Sequence, residues 1–234
     1  MAPYVPLIIF GAAAAFVVLI VVLSVRAERK RRDALRGAAQ EMGLSFDEKG
    51  DDTLLDALGS FHLFSQGHSR RIRNVVHGVA NEIDLKLFDY RYTTGGGRHA
   101  HTHTQTVLLF RCPELNLPAF ALRPEHLFHK IGAVFGGQDI DFDEHPDFSA
   151  SYLLRGEDEE AIRRIFDEEV LSFYGQSRGL STEGAGQELV FYRASKRVKP
   201  AELSALMEEG FVVLSLFRRD REGTADTSGS APQP

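Results

Sequence analysis

The sequence predicts an α+β protein in which one transmembrane helix precedes a single soluble domain built on an antiparallel meander sheet, with several amphipathic helices. Three observations carry this reading. Residues 7–25 (LIIFGAAAAFVVLIVVLSV) form a 19-residue run in which Ser24 is the one polar side chain. β-Branched and alternating stretches between residues 71 and 111 contain a long hairpin, about 82–111, with three glycines, Gly95, Gly96 and Gly97, at its centre. Helical spacing of apolar residues recurs at 27–42, 157–174 and beyond Pro200. With 234 residues, 26% of them charged and 43% hydrophobic, the chain is long enough for one sizeable domain plus extensions.

At about 1.5 Å per residue, the apolar run reaches the roughly 30 Å of a bilayer core once Tyr4 and Val5 are included. A cleaved signal peptide would place positive charge before a shorter apolar core, whereas here the charge comes only afterwards. The basic stretch RAERKRR follows directly, so the positive-inside rule predicts an external N-terminus and a cytoplasmic domain, with the chain in the inner (plasma) membrane as a single-pass protein. Residues 26–43 read as a basic juxtamembrane helix, with Leu35, Ala38, Ala39 and Met42 on one side and Gly43 as its stop.

The soluble domain is expected to span 44–217, with a subdivision near 136–150 as an option, followed by a disordered tail at 218–234 that carries no hydrophobe larger than alanine. Residues 44–46 predict a short strand. Asp52 or Thr53 can cap a brief helix ending at Gly59. Residues 71–80 form a strand leading into the hairpin, 112–118 a turn, and 119–122 a fourth strand. Pro124 predicts a helix through Phe135, stopped by Gly136 and Gly137. After a strand or extended loop at 139–149, SYLLR leads into one long amphipathic helix over 157–174, carrying Ile162, Ile165, Phe166, Val170 and Phe173 and ended by Gly175. Residues 180–183 and 188–193 predict a second hairpin, and Pro200 opens a last helix. Residues 211–217 either continue that helix or form a final strand.

Taking Gly96 as the hairpin midpoint sets Ile83, Leu85 and Leu87 against Leu109, Val107 and Gln105, and Asp89 against His103. A one-residue slip would move every side chain to the other face, and the apolar matching favours this register.

The phrases FDYRYTTGGG, LPAFALRPE and DFSASYLLRGEDEEAIRRIF resemble a group of bacterial single-pass membrane proteins with a soluble α+β domain. The resemblance covers most of 44–217. It implies this architecture and carries no activity and no site residues.

Candidate chemistry concentrates on the hairpin. His99, His101 and His103 alternate, so on a regular strand they would share one face about 7 Å apart and could chelate zinc or copper, with Asp89 orienting a ligand. Neither a paired cysteine nor an HExxH helix accompanies them, and a solvated hairpin end accounts for the pattern more simply. Asp139, Asp141 and Asp143 imitate the opening of a calcium loop, but Glu144 and Ala150 occupy positions that an EF-hand reserves for glycine and glutamate. The GEDEE run suits a helix N-terminus. Cys112, the single cysteine, excludes an internal disulfide and reads as structural or incidental. The Gly95, Gly96, Gly97 and Arg98 run lacks the Walker lysine of a phosphate loop.

The juxtamembrane residues Arg26, Arg29, Lys30, Arg31, Arg32 and Arg36, against Glu28 and Asp33, give a local net charge of +4, and the remainder of the chain carries −10. An acidic body argues against nucleic-acid binding. The expected function is a membrane-tethered cytosolic interaction or regulatory module with a protein partner, the sequence containing no complete catalytic set, and no cofactor is expected. A zinc-binding protein or metal-dependent enzyme on the histidine strand, and anionic-lipid binding through the basic run, are the alternatives.

Overall fold

The computed structural model describes residues 5–50, 52–125 and 139–218. Among these residues the strands are β1 Ser45–Lys49, β2 His68–Ala80, β3 Ile83–Thr94, β4 His101–Arg111, β5 Leu117–Pro124, β6 Tyr152–Gly156, β7 Ser181–Gly186 and β8 Glu188–Tyr192. The helices are α1 Val5–Glu41, α2 Asp52–Ala57, α3 His62–Ser65, α4 Pro146–Ser149, α5 Glu159–Ile165, α6 Glu168–Gln176 and α7 Leu203–Arg218. The strands form one antiparallel sheet in the order β1-β2-β3-β4-β8-β7-β5-β6, so the fold class is α+β, with the meander β1 to β4 as one half.

Both faces of the sheet are covered. On one face Leu85, Leu87, Leu108, Phe110, Leu122 and Phe191 pack with side chains from α1, α5, α6 and α7, in an apolar cluster that runs from Leu35 to Phe217. On the other, Phe88, Tyr90, Tyr92, Val107, Leu109, Val190 and Tyr192 pack with Leu58, Phe61, Leu63 and Phe64 from the α2–α3 segment. Each buried Leu or Phe contributes about 1.5–3 kcal/mol, so these two layers outweigh the exposed ion pairs, which contribute about 0–1 kcal/mol each.

Helix α1 has two environments. Its N-terminal part is exposed, with Phe10 79% and Leu19 53% accessible, while Leu35 and Ala39 are buried at 1% and 0% in the sheet-face cluster. The helix is continuous between the two. It ends as expected at Gly43, which has φ +71, with Leu44 N–H donating to Ala39 O and Gly43 N–H to Gln40 O in a Schellman arrangement.

The hairpin register differs from the expected one by three residues. Leu85 faces Phe110, Leu87 faces Leu108, Asp89 faces Thr106, and Tyr92 faces His103. A 3-10 turn at Gly97–His99 makes the connection asymmetric, with Gly95 at φ +72 against the His99 carbonyl. Apolar matching failed here because both faces of the hairpin base are buried, so alternation does not distinguish one register from its neighbour. The offset is odd, and it therefore exchanges the faces of β4 relative to β3.

Other expectations are refined. The long helix over 157–174 is two helices, because Asp167 caps α6 by accepting Val170 N–H at 2.9 Å after a break at Phe166. Pro124 ends β5 opposite Tyr152, and the helix expected to continue through Phe135 lies, beyond Glu125, outside the described residues. Residues 211–217 continue α7, and the tail beyond Arg218 also lies outside the described residues. Replacing the α6 cap, Asp167→Ala, is expected to lower stability by about 1 kcal/mol, and Asp167→Ser to restore most of it. Chemical denaturation of the detergent-solubilised chain measures both.

Candidate functional site

The polar half of the β3–β4 hairpin is organised by Asp89, whose residue is 6% exposed. A β-bulge in β2 between Arg73 and Val76 holds Asn74 at φ 53 and turns its amide onto Asp89 Oδ2 at 2.9 Å. Arg31, from α1, donates through Nε to Oδ2 at 3.0 Å and through Nη2 to Oδ1 at 2.8 Å, and its Nη1 donates to Val198 O at 2.7 Å. Arg197 donates to Oδ2 at 3.0 Å and grips Glu28 of α1 at 2.6 and 3.0 Å. Thr106 Oγ1 donates to Oδ1 at 3.1 Å while accepting Val198 N–H at 3.0 Å. Burial pushes the Asp89 carboxyl up, but the hydrogen bonds and charge of Arg31, with the charge of Arg197, outweigh it and hold the carboxyl below its ordinary range.

The exchanged faces separate the histidines from this carboxylate. Asp89 shares a face with Thr104 and Thr106, whereas His101 and His103 lie on the face of Tyr90 and Tyr92. The His103 ring stacks on Tyr92 with centroids 4.8 Å apart, and its two nitrogens meet Thr94 Oγ1 and Ser195 Oγ at 3.0 Å each. Partial burial, helped by the charge of His101, holds its pKa below the ordinary histidine value. His99 sits in the 3-10 turn and His101 is exposed. Among the described residues, no three His, Cys, Asp or Glu side chains are grouped as metal ligands.

The six basic residues after the apolar run divide in two. Arg31 joins Asp89, Arg32 pairs with Glu48, and Arg36 bonds Asp33 and lies over the Phe46 ring at 5.2 Å. Arg26, Arg29 and Lys30 remain exposed. Beside the Asp89 cluster opens a cleft of about 480 Å³, lined by Glu28, Arg71, Arg73, Asp89, Arg91 and Arg197 among others.

A second buried carboxylate was missed by sequence reasoning. Glu183 of β7, 1% exposed, accepts Leu63 N–H at 3.1 Å, Tyr192 Oη–H at 2.9 Å and Arg123 at 3.3 Å, fastening the α2–α3 segment to the sheet. Burial raises its pKa, only partly offset by Arg123 and these hydrogen bonds. Its sequence context, STEGAG, offers no signal beyond an acid in a strand. Asp139 accepts Leu154 N–H at 3.0 Å and so serves the edge of β6, and Cys112 is buried at the end of β4.

No family model matches the chain, and no curated protein matches it. Among solved structures, it is similar to the crystal structure of the mycobacterial trehalose monomycolate transport factor A, TtfA, with a TM-score of 0.56 at 14% identity, covering 87% of this chain and 97% of that one. At this identity the likeness is one of fold.

Removing one partner of a buried ion pair strands the other, so Asp89→Ala and Arg31→Ala are each expected to cost about 3 kcal/mol, with the double variant well short of the sum. Denaturant unfolding of the four proteins gives the coupling directly. The Asp89 pKa is depressed, so the unfolded chain takes up its proton first, near the ordinary value of 3.8. The advantage of wild type over Asp89→Asn is therefore expected to be constant from about pH 7 to 5 and to shrink as pH falls below 3.8 through the folded-state value. Stability measured across pH checks the sign.

Proposed function

We propose that the chain is a membrane-tethered interaction or regulatory module, held in the bilayer by a single span and presenting its sheet domain to the cytosol. The observation that carries this is the continuity of α1. Its exposed apolar stretch passes without a break into a half that is bonded to the sheet through Arg31 and buried through Leu35 and Ala39. A signal sequence would share the length and composition of the apolar stretch. Favouring a retained anchor, the juxtamembrane half is an integral packing element of the domain, and the basic residues follow the apolar run as an internal flank requires.

The likeness to TtfA, which is named a transport factor, is compatible with a membrane-associated module. A rigid mount suits such a role, because it offers a partner one orientation of the sheet rather than a tethered ensemble, which lowers the ordering cost of association.

In-cell crosslinking followed by affinity capture from carbonate-washed membranes tests this reading. A specific, stoichiometric partner is expected with the wild-type chain and less of it with Arg31→Ala, which removes the Asp89 and Val198 bonds from the seat of α1. Release of the chain by carbonate, or a solitary monomer in the washed membranes, would sink it.

A further inference from the structure

The cleft beside Asp89 holds carboxylates whose bonding capacity is spent and arginines whose capacity is not. Asp89 receives donors from Arg31, Arg197, Asn74 and Thr106, which fill the roughly four lone-pair positions of a carboxylate. Glu28 is taken by the fork of Arg197. Arg71, Arg73 and Arg91, all exposed along the cleft, have no acidic partner among the described residues. Arg71 and Arg91 are moreover direct cross-strand neighbours, an arrangement of like charges that costs stability. Hydroxyls of Ser69, Thr93 and Thr104 line the same cleft. Guanidinium groups lining one cleft with hydroxyl side chains are of the chemistry that recognises the oxygens of a phosphate group.

The cleft lies on the side of the Asp89 cluster that faces the apolar run, which points to where such a group would come from. Glu28 lies three residues beyond Val25, about 4.5 Å along the helix, and Arg31 about 9 Å along it. Contacts of α1 with β1 set the strand direction, since Arg36 lies over Phe46 while Arg32 reaches Glu48, so β1 advances toward the apolar run. Strand pairing Lys49 to Arg73, Arg73 to Asp89 and Arg71 to Arg91 then places Arg71 and Arg91 one pair of residues, about 7 Å along the strands, beyond Asp89 on that same side. The headgroup layer of a leaflet occupies about 5–7 Å outside the hydrocarbon core.

Resting on the tethered reading above, we propose that this cleft is a phosphate-binding site occupied by the headgroup of an anionic phospholipid, gripped by Arg71, Arg91 and Arg73. It is distinct from the exposed collar of Arg26, Arg29 and Lys30, which attracts anionic surface without a cleft.

The full chain, purified in a mild neutral detergent, is mixed with phosphatidic acid, phosphatidylglycerol or phosphatidylcholine, and retained lipids are counted by native mass spectrometry. Inorganic phosphate is titrated as a separate competitor. One anionic lipid is expected on the wild type, bound at least about tenfold more weakly by Arg71→Gln/Arg91→Gln, several-fold more weakly by Arg73→Gln, and unchanged in Arg26→Gln/Arg29→Gln. Because the double variant removes a like-charge pair, its thermal midpoint is expected to equal or exceed that of wild type, which separates lost binding from lost folding. Equal retention by wild type and double variant, or no anionic lipid on the wild type, overturns the site. Binding of phosphate alone, without lipid, overturns the headgroup as its source. Carbonate resistance of the same variants is measured in parallel: washing off the membrane counts against the tether, whereas a chain that stays in the membrane yet retains no lipid counts against the cleft alone.

Discussion

A carboxylate that is 6% exposed must be compensated, and Asp89 meets that requirement by drawing donors from four separate parts of the chain: Arg31 of α1, Asn74 of the β2 bulge, Thr106 of β4 and Arg197 from the segment after β8. The strands β2 and β4 are already joined to β3 by their ladders, so what the carboxylate adds is a directional hold on α1, which otherwise packs on this sheet face largely through apolar side chains. The Asp89 cluster specifies a single seat for α1 on the sheet, since a helix rotated by one residue would carry Arg31 about 100° away from the carboxylate. Apolar burial supplies most of the stability, and the ion cluster supplies the geometry.

Much of the fold was legible. The apolar run, the Gly43 stop, the meander and the second hairpin all rest on local signals, namely length, a positive-φ glycine and β-branched alternation. The hairpin register was not, because Leu85, Leu87, Phe88, Tyr90, Val107, Leu108 and Leu109 are all buried and an alternation argument needs one wet face. The helix break at Asp167 was legible in principle, since Asp167 followed by two glutamates and Val170 has the form of a cap, but Phe166 and Val170 satisfied one continuous periodicity and hid it.

The candidate site was half legible for a related reason. Asp89 stood out as an acid on a hairpin, yet its pairing with a residue 58 positions earlier follows from the seating of α1, which sequence spacing does not contain. The basic run read as a uniform collar, whereas the structure divides it into residues committed to the domain and residues left outside. The cleft arginines belong to two strands whose register had to be known before Arg71 and Arg91 became neighbours. The β3–β4 register error brought His103 beside Asp89, whereas Arg71 and Arg91 meet across the separate β2–β3 pairing, on the face that Asp89 shares.

The uninterrupted course of α1 has a mechanical meaning. A flexible linker would let the domain tumble independently of its apolar segment, but here the last turns of the helix are part of the core and the preceding turns are bolted to Asp89 and Arg197. Torque applied to the sheet is therefore delivered along the helix axis as tilt or roll of the apolar stretch, and a push on that stretch returns to the sheet. The two halves of α1 behave as the arms of one lever, with the Asp89 cluster as its fulcrum.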